Sequence, residues 1–207
     1  MAKYMEPVRV FISSKQSEFR EERRGMAEII ETLPLLAPVL AEDWAPERLE
    51  VREKFLADVR RSPIYVGLFG AVYSEPTVLE YETARENPCR EILIYIKRQD
   101  DPAKIDPRLT PMLSIFQDRH TCKVFETPQD VLPYFEKHLW NAVRVMIEAF
   151  IDLQKPEPVT RGELSPQKRK WAARRAQLAE IGLPGDRSPE SAAEYAVQLS
   201  QMLKMRS

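Results

Sequence analysis

The side chains able to do chemistry in this 207-residue chain gather in a few short stretches. Ser13-Ser14 ends one apolar run and Glu42-Asp43-Trp44 another. Phe69-Gly70-Ala71-Val72-Tyr73-Ser74 ends a third and leads into Pro76-Thr77-Val78-Leu79-Glu80. Glu22 and Arg23 interrupt an otherwise apolar helical stripe between Phe19 and Met26, where a charge must be paired or face a polar crevice. These stretches offer hydroxyls, carboxylates, aromatic faces and one tight glycine. Two cysteines, Cys89 and Cys122, form no C-x-x-C, and His120 and His138 are the only histidines, which argues against a metal site and a zinc enzyme. Six glycines against seventeen prolines leave no glycine-rich phosphate loop. A nucleotide would have to be held by hydroxyls, helix ends and aromatic faces, and any reaction would have to rest on carboxylates such as Glu80.

The elements that must position these groups are legible as alternating runs. Residues 8–13, 63–69 and 91–96 are short, apolar and rich in β-branched and aromatic residues, as strands buried on both faces are; 38–42 and 122–126 are weaker candidates. Between and after them, residues 15–33, 47–61, 76–86, 107–119 and 128–153 carry helical periodicity. In the last of these, Val131, Leu132, Phe135, Leu139, Val143, Met146, Ile147 and Phe150 face inward. Five repeats of strand then helix predict a flavodoxin-like α/β fold: a five-stranded parallel sheet, order 2-1-3-4-5, with helices on both faces. In such a sheet the ligand crevice opens at the carboxyl ends of the first and third strands, where the chemistry-bearing stretches lie.

Composition, 43% hydrophobic and 30% charged, suits a folded domain with an appendage. No apolar run is long enough to span a bilayer, and Met1-Ala2-Lys3-Tyr4 leads into no signal segment, so a cytoplasmic protein is expected. A boundary is expected after Leu153, with residues 154–164 a proline-bearing linker and 165–207 a basic helical hairpin capped at Ser165-Pro166 and Ser188-Pro189. Residues 154–207 hold ten Lys/Arg against six Asp/Glu, and residues 1–153 hold 21 against 26. Leu178, Ile181, Tyr195, Leu199, Met202 and Leu203 suggest that the hairpin docks on its own domain, on a second copy or on a partner domain. Lys168, Arg169, Lys170, Arg174 and Arg175 around Trp171 more often make a solvated face than a nucleic-acid site.

Val10-Phe11-Ile12-Ser13-Ser14, Glu22-Arg23, Tyr65-Val66-Gly67-Leu68-Phe69-Gly70 with Tyr73 behind it, and Pro76-Thr77 followed by Glu80-Tyr81 and Ala84 resemble an uncharacterised TIR-like family, a domain of unknown function. The family is distantly similar to nucleoside deoxyribosyltransferases and NAD-cleaving TIR domains. The resemblance covers about residues 8–150. It implies that Glu80, with Ala84 four residues on, matches the glutamate that carries the chemistry in those relatives. Cleaving an N-glycosidic bond builds positive charge at the ribose anomeric carbon, which a carboxylate stabilises or attacks. On that reading Ser13, Ser14, Asp43, Phe69, Gly70, Tyr73 and Thr77 bind substrate, Glu22 and Arg23 form a supporting ion pair, and NAD is the favoured substrate, with no cofactor or metal.

Simpler roles compete for the same residues. Thr77-x-x-Glu80 is also a capping box, and Ser13 or Ser14 could N-cap the first helix. Glu42 and Asp43 could be solvated loop acids, His120 and His138 satisfied surface residues, and Tyr95, Trp140 and Phe150 core. A non-catalytic nucleotide-sensing or protein-interaction module of a defence or regulatory system therefore stands beside the enzyme.

Overall fold

In the computed structural model residues 6–40, 49–86 and 91–154 are described. Asp43 with its neighbours Glu42 and Trp44, Cys89, and the expected linker and hairpin over 155–207 lie outside the described residues.

Strand and helix alternate as β1 (Val8–Ser14), α1 (Arg20–Glu31), β2 (Leu36–Leu40), α2 (Leu49–Arg61), β3 (Ile64–Phe69), α3 (Glu75–Arg85), β4 (Glu91–Lys97), α4 (Thr110–Arg119), β5 (Thr121–Phe125) and α5 (Pro128–Gln154). All four strand pairs are parallel and the order is β2-β1-β3-β4-β5, the flavodoxin-like order expected. β3 is buried along its whole length, which is why it appears in the sequence as a continuous apolar run. β2 and β5 are the edge strands and are only partly covered, which is why their signals are weak. No helix among the described residues is long and apolar enough to cross a membrane.

Strand parity assigns each side chain to a face. Phe11, Tyr65, Phe69, Ile94 and Ile96 join Val59 of α2, Tyr81 and Ala84 of α3, and Phe116 of α4 in one core. Residues of opposite parity meet α1 and α5. Tyr95 packs on Phe135 with ring centroids 6.0 Å apart, and Phe125 meets Phe19. α1 and α5 approach so closely that a Cβ on Gly25 would stand 2.7 Å from Leu132 Cδ1, which accounts for a glycine inside a helix despite its propensity cost. In α5, Val131, Phe135 and Leu139 recur every fourth residue and are fully buried. By its contacts the chain divides after Leu139, inside α5.

Two local expectations change. α1 begins at Arg20, with the turn of residues 15–18 closed by Glu18 N–H donating to Lys15 O (3.0 Å), so Ser13 and Ser14 end β1 and cap no helix. His120 and His138 are half-buried tyrosine partners: Tyr81 Oη lies 2.8 Å from His120 Nε2, and Tyr95 Oη lies 3.0 Å from His138 Nδ1. Both tyrosine hydroxyls sit in apolar surroundings where an unsatisfied O–H is costly, and a half-buried imidazole serves both hydrogen bonding and packing.

Candidate active site

The last two residues of β1 point to opposite faces, and that parity divides the site. Ser13 pairs in register with Gly67 and Ile94 lies beyond it, placing it on the α3 side. Its Oγ donates to Glu80 Oε2 at 2.5 Å. Ser14, in register with Leu68, faces α1, and its Oγ accepts from Arg23 Nη1 at 2.9 Å. Arg23 also donates to the Ile12 carbonyl (3.1 Å) and is 2% exposed, so a buried guanidinium braces the carboxyl end of β1.

Glu80 belongs to the second turn of α3. That helix starts at Glu75 with Ser74 at the N-cap position and Pro76 in the first turn, where a missing N–H costs nothing. Thr77 Oγ1 donates to Ser74 Oγ (2.9 Å). Thr77 is therefore not an N-cap, Glu80 is not its reciprocal partner, and the capping-box alternative fails because the helix begins earlier. Glu80 reaches across to the sheet instead. It is 8% exposed beside Ser13 at 1%, and burial pushes its carboxyl up to about 7, against the opposing effects of the Ser13 hydrogen bond and the Arg23 charge. A neutral and an ionised Glu80 are then both populated near neutrality, as a group exchanging protons or meeting cationic charge requires.

Glu22 takes its own cation. Its carboxylate accepts from Lys97 Nζ at 2.8 Å, with Glu22 3% and Lys97 29% exposed. Lys97 ends β4 on the α1 side and also lies 5.7 Å from the Phe19 ring centre. The charges that interrupt the α1 stripe are thus held by groups at the carboxyl ends of β1 and β4. Lys97→Met would leave Glu22 buried without this cation, so a loss of about 2–3 kcal/mol in unfolding free energy is expected, below the figure for a fully buried pair because Lys97 is partly solvated. Urea denaturation measures it.

Beside this polar pair a small cleft, open to solvent, lies between the β1–α1 turn and the start of α3. Of the residues expected to bind substrate, Phe69, Gly70 and Thr77 line it, together with Lys15, Val72, Ser74 and Val78. Ser13, Glu80 and Tyr73 do not line it. Thr77 and Glu80, three residues apart, share one face of α3, which puts the carboxylate one turn further along the helix than the cleft wall. The Phe69 ring is packed against Phe116 (centroids 4.4 Å) and edge-on to Tyr81, so its faces serve the core more than a base. Tyr73 carries the Arg108 guanidinium 4.0 Å above its ring. Asp106 holds that arginine at 2.7 Å, and the bonds from Arg108 lower the Asp106 carboxyl to about 2.

Gly70 is needed where it stands. A Cβ there would collide with the Glu18 carboxylate and come within 2.9 Å of the Phe19 ring. Glu18 Oε1 accepts from Ala71 N–H at 2.8 Å, tying the β1–α1 turn to the loop after β3. Gly70→Ala is expected to break that tie and cost about 1–3 kcal/mol by urea denaturation, the usual range for forced overpacking.

Sequence reasoning missed Lys15, Glu18 and Lys97. Lys97 carried a usable signal, a charge at the carboxyl end of a buried strand beside the switch point. Glu18 and Lys15 carried none, because a solvated turn was an equally good home. The described residues contain no cluster of histidine, cysteine or acidic groups able to hold a metal ion.

Among solved structures, the chain is similar to a Clostridium botulinum CMP N-glycosidase, at 10% sequence identity and a TM-score of 0.48, over 63% of this chain and 98% of that one. No curated protein matches it. Residues 9–139, more than half of the chain and the whole span from β1 into α5, match the domain of unknown function DUF4062, and the protein belongs to that family.

Proposed function

We propose that the protein is a nucleotide N-glycosidase in which Glu80 is the catalytic carboxylate and NAD the favoured substrate. One observation carries this reading: a buried glutamate is held by Ser13 at the carboxyl ends of β1 and β3, beside the cleft, with its carboxyl raised to about 7. In ionised form it can meet the cationic anomeric carbon. Attack by a Glu80 oxygen would form a C1′–O ester as the C1′–N bond breaks; water would then cleave the ester, returning the carboxylate and releasing a proton. Nicotinamide leaves oxidised NAD as a neutral base, so that substrate needs no general acid. Ser13 would orient the carboxylate, and Arg23 would favour its charged form from beneath β1.

The low exposure of Glu80 and its absence from the cleft wall favour a second reading, a nucleotide-binding module that does not turn over. Incubation of concentrated protein with NAD, and separately with CMP and deoxynucleoside monophosphates, followed for free base by chromatography, separates the two. Base release is expected from NAD most of all; no base from any of them at high protein concentration leaves the binding module.

A further inference from the structure

The cleft has a charge and a donor that its own walls do not use. Lys15 is the only charged residue among those lining it, is half-buried, and has no acceptor for its ammonium among the described residues. Glu18, three residues on, accepts from the Ala71 amide through Oε1, and its Oε2 is buried with no hydrogen-bond partner among the described residues. Across the cleft Ser74 Oγ accepts from Thr77, which leaves the Ser74 O–H as a donor with no acceptor among the described residues. The rest of the wall is largely apolar, with Phe19, Leu68, Val78 and Leu109. Such a wall strengthens an ionic hydrogen bond relative to bulk water. A cation and a hydroxyl donor on an otherwise largely apolar wall suit an anion attached to a flat or apolar body. Thr77 and Glu80 lie one turn apart on α3, about 5 Å, the scale of a ribose ring.

We infer that Lys15, assisted by Ser74, recognises the phosphate of the ligand, so that the site takes a phosphorylated nucleotide and discriminates against the free nucleoside. This rests on the nucleotide reading of the site. It names the group that sets substrate class, where that reading named only the reacting carboxylate. A terminal phosphate monoester and the diphosphate of a dinucleotide share this chemistry.

The test is equilibrium binding by calorimetry to the full chain, with AMP, CMP and NAD against adenosine and cytidine, for wild type, Lys15→Gln, Lys15→Arg and Lys104→Gln. Lys104 is exposed and outside the cleft wall, so its variant controls for the loss of one positive charge. Wild type is expected to prefer the phosphorylated member of each pair by roughly tenfold or more, the scale of one charge-assisted hydrogen bond. Lys15→Gln is expected to bring phosphorylated and free forms within about twofold of each other, while Lys15→Arg and Lys104→Gln keep the preference. A preference for AMP and CMP alone identifies a monoester, and one for NAD alone a diphosphate. Equal affinities in wild type, a preference that survives Lys15→Gln, or no binding of any probe overturns the inference. Base release in the same samples is scored separately. Release without a Lys15-dependent preference removes this inference and leaves the glycosidase, whereas a Lys15-dependent preference without release does the reverse.

Discussion

Between pH 4.5 and pH 8, Glu80→Gln is expected to gain stability steadily on the wild type, by about 3 kcal/mol in all. In an unfolded chain the Glu80 carboxyl titrates near its ordinary value of 4.5, and in the folded protein near 7 because burial disfavours the charge. Below 4.5 it is protonated in both states and its ionisation takes nothing from folding. Between 4.5 and 7 the folded protein keeps a proton that the unfolded chain has given up, so stability falls as pH rises, and above 7 the full cost of the buried charge is present. Glutamine has nearly the same size and cannot ionise. Every other titrating group is common to the two proteins, so the difference between their urea unfolding free energies isolates Glu80. A constant offset from the loss of the Ser13 hydrogen bond shifts that difference without tilting it. A difference that is flat with pH would mean that Glu80 ionises as an exposed glutamate does, and its place against Ser13 would then be wrong. A cost of this size is a large fraction of the stability of an ordinary domain. Retaining such a group is what a site that uses the charge would do.

Much of this arrangement could be read in the sequence, and what could not has a physical cause. β1, β3 and β4 were visible because strands covered on both faces are apolar at every position; strict alternation with right-handed crossovers implied a parallel sheet, of which 2-1-3-4-5 is the simplest order and not the only one. The helix expected over 76–86 begins one residue earlier, at Glu75, and the capping box offered for Thr77 and Glu80 needed a start after Thr77: with Ser74 before the helix, both residues fall inside it. The beginning of α1 failed for a similar reason, since Ser13-Ser14 followed by a helical stripe looks like a cap until the intervening turn of 15–18 is seen. Ser13 with Glu80 and Glu22 with Lys97 join residues far apart in sequence, and their pairing depends on which face of β1 or β4 each side chain takes and which helix covers that face. Strand parity could be counted. The covering helix could not, because a crossover's face follows from the strand order, and the sequence made that order an expectation only. Phe69 and Tyr73 were expected to stack on a ligand because aromatic residues near a crevice are good stacking partners; their contacts with the rings of Phe116 and Tyr81 and with the Arg108 guanidinium come from distant parts of the chain and carried no signal in the sequence.

The second large effect is on turnover. Glu80→Gln keeps the shape of the side chain and removes the charge that would face the anomeric carbon, so base release is expected to fall by at least about a thousandfold, on the order of 4 kcal/mol of transition-state stabilisation. The competent form is the ionised one. For the wild type, kcat/KM is therefore expected to rise with pH up to about 7 and to level off above it, over the same window in which the fold loses stability. The two profiles mirror each other because one proton governs both. A structural glutamate would give the stability profile without the rate profile.

The most direct test of the glycosidase reading is the rate of nicotinamide release from NAD by concentrated wild-type protein and by Glu80→Gln, side by side at pH 8. Clear release by the wild type and loss of about a thousandfold or more in the variant is the expected result. Equal release by the two proteins would contradict it, as would no release by a wild type that binds NAD.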